Sequence, residues 1–209
     1  ARHAPKQVLL VGIAGAYDIE THPTGTALAF NAVASHGIGA GEGDSFLGPS
    51  SLGFPQWPAT EELGAVEELI ELQTPGGDGL LLTTCAASDS AERASKLLEM
   101  HPSALAEDME GFGVALACPL ARTPCWIVRG ISNQVGDREP TRWRIPAALS
   151  AARRRASRRR ASPGGRMGSS RFPASGPWEA GEAGKREAGK RFRVAFATEP
   201  KQNNPSRRN

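Results

Sequence analysis

The chain has 209 residues, 39% of them hydrophobic and 22% charged, which suffices for one α/β domain or a smaller domain with a long tail. No run of eighteen apolar residues occurs, which excludes a transmembrane helix, and the start at residues 1–6 is not expected to open a secretory signal. The net charge of +3 conceals a split: residues 1–152 carry 9 basic and 18 acidic residues, a net −9, whereas residues 153–209 carry 16 and 4, a net +12. This break predicts an acidic folded body over 1–152 and a basic low-complexity tail over 153–209. The sequence pI near 9.0 then belongs to the tail alone.

In chain order, Gln7-Val8-Leu9-Leu10-Val11-Gly12-Ile13 reads as a strand buried on both faces. Residues 27–35 read as a weaker second strand, and the Gly-, Pro- and Ser-rich stretch 37–58 as a loop. Thr60-Glu61-Glu62 is a helix opening, with Leu63, Val66, Leu69 and Ile70 at helical spacing behind it. Residues 79–84 form a third strand; Ser88 or Asp89 caps a helix through Met100, and His101-Pro102 stops it. Residues 104–109 read as a strand feeding a helix over 110–118, and residues 125–131 as the last strand. A final amphipathic helix starts at Ile145 and is expected to dissolve at Arg153. The alternation predicts an α/β fold with a mostly parallel central sheet flanked by helices, and places ligand chemistry at the carboxyl ends of strands.

Three stretches there carry chemistry. Gly12-Ile13-Ala14-Gly15 allows positive φ and close backbone approach to a ligand, although a glycine pair alone is also an ordinary turn. Glu107-Asp108-Met109-Glu110 places three carboxylates in four positions; it reads either as a solvated acidic turn or as a ribose site. In a continuing strand Asp108 and Glu110 share a side, and a carboxylate accepts two hydroxyls at once beside a soft Met109 surface. Ser132 and Asn133 are polar residues at the end of a buried strand, and the Asn133 amide can pair with the N7 and O6 edge of a 6-oxopurine, or simply close a turn. Cys85, Cys118 and Cys125 form no CxxC pair, which fits a reduced, cytoplasmic protein. His3, His22, His36 and His101 show no ligand spacing and read as surface residues; no metal and no cofactor is expected.

Taken together, the Gly12-Ile13-Ala14-Gly15 strand end, Asp108-Met109-Glu110-Gly111 and Arg129-Gly130-Ile131-Ser132 resemble the nucleoside phosphorylase and nucleosidase superfamily, which includes the purine and uridine phosphorylases. The longer wording, residues 107–112 and 129–137, together with Gly41-Glu42-Gly43 and residues 51–57, is similar to the futalosine hydrolase branch. That resemblance implies hydrolysis of the N-glycosidic bond of futalosine to hypoxanthine and dehypoxanthine futalosine, in menaquinone biosynthesis. It implies Met109 and Glu110 on the ribose, residues 12–15 facing ribose and water, Ala87, Ser88 and Ser132 bordering the base, and Asn133 at purine N7/O6 with Asp137 nearby as catalytic candidates. Adenosine-type members carry aspartate where this chain has Asn133, and an amide suits O6 better than a carboxylate does.

The resemblance further implies a purine nucleoside as the small-molecule partner, a homo-oligomer for the intact family and no membrane association. It places earlier strands before the Gly12 motif, one with the glutamate that activates water; eleven residues precede Gly12 here, none acidic, so the domain reads as N-terminally incomplete and lacking those strands. The tail has a composition unable to support a core and is expected to be disordered, either an out-of-frame reading of a GC-rich gene or a non-specific nucleic-acid-binding segment through Arg153–Arg155 and Arg158–Arg160. Two alternatives stay open: another purine nucleosidase or phosphorylase, of the methylthioadenosine/S-adenosylhomocysteine nucleosidase type, and an inactive fragment with a nucleic-acid-binding tail.

Overall fold

The computed structural model describes residues 5–61, 64–72, 74 and 76–161. Strands β1 (Val8–Ala16), β2 (Ala27–Phe30), β3 (Ala32–His36), β4 (Leu69–Glu71), β5 (Leu80–Thr84), β6 (Ala104–Asp108) and β7 (Cys125–Gln134) form one sheet in the order β2-β7-β1-β6-β5-β3-β4. Helices α1 (Pro49–Leu52), α2 (Ala91–Met100), α3 (Gly111–Leu120) and α4 (Ile145–Ala161) accompany it. No helix among the described residues is long and apolar enough to cross a membrane.

The α/β layering agrees with the sequence, and the sheet is mixed, with its longest ladders parallel. β1/β7, β3/β5 and β5/β6 are parallel, whereas β1/β6, β2/β7 and β3/β4 are antiparallel. Parallel pairing needs a crossover, as α2 supplies between β5 and β6; no helix separates β2 from β3. Those two strands lie five positions apart in the sheet yet are joined by Asn31 alone. Five strand spacings in a flat sheet would be roughly 24 Å, beyond the reach of a one-residue link, so the sheet curls to bring its two ends together.

Alternation along β7 distributes the core. Ile127 and Ile131 face α3, packing with Phe112, Ala115, Leu81 and Ala106, whereas Val128 faces α4 and packs with Ala29, Ala152 and Ala156. β5 does the same, with Leu81 toward α3 and Leu80 and Leu82 against Leu97 of α2. β5 and β7 are therefore the strands buried on both faces. β1 is not: Val8, Leu9 and Leu10 are half-buried and Val11 is exposed. It meets β6 only at Gly15 and Ala16, and among the described residues nothing pairs with its other edge from Val8 to Ala14.

Several boundaries move. Residues 27–35 are two strands, broken where the chain passes at Asn31 from β7 to β5 as partner. The expected helix over 60–70 does not form: Val66 pairs with Trp57 and Leu69–Glu71 pairs with β3. The β3 edge offers that segment backbone partners, which outweigh a weak helix preference interrupted by Gly64. Residues 62 and 63 of that helix lie outside the described residues. The cap of α2 is Ser90, whose hydroxyl accepts the Arg93 N–H at 3.2 Å, rather than Ser88 or Asp89. α4 continues through the arginine-rich stretch to Ala161 instead of dissolving at Arg153, because Ala152 and Ala156 keep an apolar stripe against β2 and β7. The expectations for residues 162–209 lie outside the described residues.

Candidate active site

The carboxyl ends of β1 and β7 and the β6–α3 junction surround a cleft of about 660 Å³. Successive residues of β6 point to opposite faces, so Asp108 and Glu107 supply two different carboxylates to it.

Asp108 is buried. Its Oδ1 accepts the Thr83 hydroxyl at 2.6 Å, and its Oδ2 accepts the Gly111 N–H at 3.0 Å and Arg129 Nε at 2.9 Å, with Arg129 Nη2 also in contact. The side chains of Arg129 and Asp108 are 4% and 1% exposed, so this pair is stable only because every charge has partners. Arg129 Nη2 also reaches Glu110 Oε2 at 3.1 Å, and that carboxylate is 65% exposed. β6 ends at Asp108, so Asp108 and Glu110 are brought together by the shared guanidinium and not by continuing strand alternation. Arg129 sits opposite Gly12 across β1/β7, where a Cβ would run into the guanidinium. Neither Gly12 nor Gly15 adopts positive φ, so their use is steric and not the conformational freedom expected from the sequence.

On the other face, Glu107 Oε1 accepts the Ser88 N–H at 2.7 Å, and Oε2 accepts the Ser88 hydroxyl at 2.7 Å and the Tyr17 hydroxyl at 3.0 Å. Burial, and then the neighbouring Glu107 carboxylate, push the Tyr17 phenol far above its ordinary range, so it remains a donor.

A bulge shapes the end of β7. Ala14 pairs with Ile131 and Gly15 with Asn133, which makes Ser132 the extra residue. The Ser132 hydroxyl lies 2.7 Å from Asn133 Oδ1, and Asn133 Nδ2 donates to the Gln134 carbonyl at 2.8 Å. A carbonyl only accepts, which fixes the amide with its nitrogen on that side. A Cβ on Gly15 would lie 3.2 Å from Asn133 Nδ2, so the amide extends over β1.

The cleft is lined by residues 12–15, 87–88, 109–110 and 132–133, which brings the expected ribose, water-facing and base-bordering positions to one place. Asp137 is not among the lining residues: its carboxylate is bound by Arg142 Nε at 3.0 Å and Nη2 at 2.6 Å, and by the Glu139 N–H at 2.9 Å. It braces the turn leading to α4, between the lining residues Gly136 and Arg138.

Sequence reasoning gave no role to Arg129 or Glu107. Strand alternation separates Glu107 from Asp108, but only tertiary pairing reveals their partners. Arg138 and Trp143 also line the cleft, the Arg138 guanidinium 5.3 Å from the indole centroid, a cation–π distance. The surface reading of the histidines changes as well. His36 and His101 are half-buried, with Nδ1 of His36 and Nε2 of His101 3.2 Å apart. Burial and then the His36 charge lower the His101 pKa to about 4. His3 lies outside the described residues.

A family profile described as the phosphorylase superfamily matches residues 1–161. The futalosine hydrolase of Streptomyces coelicolor is 38% identical over 144 residues, 69% of this chain and 60% of that protein. The futalosine hydrolase of Acidothermus cellulolyticus is 33% identical over 155 residues, 71% of this chain and 62% of that protein. The chain thus spans about three fifths of the length of these curated relatives. A crystal structure of 5′-methylthioadenosine/S-adenosylhomocysteine nucleosidase from Helicobacter pylori, with an immucillin bound, superposes with a TM-score of 0.56 at 19% identity, covering 73% of this chain and 67% of that one; it supports the fold. With the profile spanning the whole described body, the chain belongs to the phosphorylase superfamily.

Proposed function

We propose that this protein is a nucleosidase of the futalosine hydrolase type, releasing hypoxanthine from futalosine. The observation that carries the reading is the shared cleft of Glu110 and Asn133, an exposed carboxylate and an amide where an adenine-selective site would present a second carboxylate. Identity to two futalosine hydrolases supports the same substrate.

In this reading Glu110, positioned by Arg129, accepts the ribose 2′ and 3′ hydroxyls, and Met109, 52% exposed, offers its thioether to the carbon face of the sugar. As the C1′–N9 bond breaks, its electron pair moves into the purine, and an N–H of Asn133 at O6 or N7 stabilises the charge that develops there. Water adds to C1′ of the oxocarbenium-like state; one of its protons is lost and the purine gains one, giving neutral hypoxanthine. The backbone of residues 12–15 borders the ribose and the water, and Ala87, Ser88 and Ser132 border the base. A place in menaquinone biosynthesis, a cytoplasmic location and a homo-oligomeric intact enzyme belong to this proposal.

The test is purified full-length chain incubated with futalosine, with hypoxanthine followed by chromatography. Phosphate-independent hypoxanthine release is expected. Release that requires phosphate makes the protein a phosphorylase; cleavage of methylthioadenosine with futalosine untouched overturns the reading.

A further inference from the structure

α4 runs through the arginine-rich stretch as a helix, and its packing decides which of those arginines are available. Ala152 and Ala156 are buried against Ala29 of β2 and Val128 of β7. At about 3.6 residues per turn, Arg153, Arg154, Ser157 and Arg158 then fall on the opposite side of the helix, and all four are exposed. Arg155 is half-buried and engaged, its Nη2 donating to both carboxylate oxygens of Asp78 at 2.8 and 2.6 Å. Arg154 Nη1 donates to Ser150 Oγ at 2.6 Å, a neutral partner. Among the described residues no carboxylate forms an ion pair with Arg153, Arg154 or Arg158.

This charge has no local balance. No Asp or Glu occurs between Glu139 and Glu179, whereas a solvated helix face ordinarily interleaves charges of both signs. Arg154 and Arg158 are neighbours at i and i+4, so their like charges repel unless an external anion lies between them. A bilayer fits this face poorly, because an interfacial helix needs a free apolar side and that side of α4 is covered by β2 and β7. A nucleic-acid backbone fits it well. Arg153 to Arg158 spans about 7.5 Å of helix axis, a length over which a duplex carries about four phosphate charges. A guanidinium pairs with a phosphate through two parallel N–H donors, and the Ser157 hydroxyl adds another donor. No aromatic side chain accompanies the arginines on this face, so it has no platform on which to stack bases.

We propose that the outward face of α4 is a sequence-independent nucleic-acid-binding surface, with Arg153, Arg154 and Arg158 paired to backbone phosphates. Arg155 takes no part, because it ties α4 to Asp78. None of these residues lines the cleft, so the surface is separate from the proposed nucleosidase site and does not rest on it.

The experiment follows binding of the full chain to a fluorescent DNA duplex of about 20 base pairs by anisotropy, between about 50 and 200 mM salt. Three proteins are compared: wild type, R153Q/R154Q/R158Q on α4, and K190Q/R191Q/R193Q, which removes the same charge beyond the helix. At the lowest salt the α4 variant is expected to bind at least about tenfold more weakly, and its slope of log K against log salt to be shallower by roughly 2.7, the value for three phosphate contacts. The second variant is expected to lose less than about threefold, and a duplex of unrelated sequence to bind wild type equally well. Equal losses in the two variants make binding a matter of net charge and overturn the assignment to α4. No binding of wild type to duplex at low salt, or binding only to phosphatidylserine vesicles, overturns the nucleic-acid reading. Wild type alone provides a further measurement that needs no variant to fold. The duplex is expected to protect Arg153, Arg154 and Arg158 from phenylglyoxal, as read by peptide mass spectrometry, and absence of protection overturns the proposal.

Discussion

Arg129 donates through Nε to Oδ2 of Asp108 at 2.9 Å, and neither side chain has appreciable solvent contact. Through this pair a buried charge on β7 is held by β6 and carried on to the exposed carboxylate of Glu110 at 3.1 Å. Replacing one partner strands the other charge without water. Arg129→Met is expected to cost about 3–5 kcal/mol of unfolding free energy, and the double variant R129M/D108L to recover part of it. Urea denaturation of the two variants against wild type checks the sign of the coupling.

Gly130 lies beneath α4, where an added Cβ would meet the Ala148 backbone, which cannot rotate away as a side chain could. Gly130→Ala is expected to destabilise by upwards of about 2 kcal/mol by lifting α4 from β7. Gly113→Ala is the control: it is an exposed position in α3 with no neighbour in reach of a Cβ, and is expected to stabilise by about 0.5–1 kcal/mol. Thermal melting of the two single variants should move in opposite directions.

The histidine pair predicts an acid-side loss of stability. Burial lowers both His36 and His101 from 6.5, His101 to about 4. Between those values the unfolded chain binds more protons than the folded one, so this contribution is complete above about pH 6.5 and declines as pH falls toward 4. Melting temperatures at pH 7.5, 6 and 5 are expected to fall, and to fall less in His101→Gln, which cannot titrate.

Asn133→Asp exchanges the remaining donor for lone pairs facing O6 and N7. Hypoxanthine affinity is expected to drop about 10–100-fold with adenine less affected, because Asp can accept from N6 of adenine. Calorimetric titration with both bases measures the change; an unchanged ratio would separate Asn133 from base recognition.

The thiols should sort by burial. Cys85 is exposed, whereas Cys118 and Cys125 are buried and burial pushes both thiols up, Cys125 to about 12. Iodoacetamide at pH 8 is expected to label Cys85 alone in the native protein and all three cysteines in urea, as read by peptide mass spectrometry.

The residues that compose the cleft were legible in the chain because their neighbours carry strong local signals. An apolar run ending in Gly12, a strand delivering carboxylates before a helix, and a buried strand ending in Ser132 and Asn133 each need no distant partner to be recognised. The α/β class followed from the same periodicities. Three matters depended on tertiary contact. The segment around residues 64–71 had helical spacing but paired with β3 and Trp57, since an unpaired strand edge provides hydrogen bonds that local propensity cannot. The antiparallel joins β1/β6, β2/β7 and β3/β4 within the sheet are set by long-range pairing, which no single window encodes. The distinct partners of Glu107 and Asp108, adjacent in sequence and divided between two faces, came from Tyr17, Ser88, Thr83 and Arg129, up to 90 residues away. Local chemistry specifies which groups a strand end carries; the register between strands, fixed by long-range pairing, decides which of them meet.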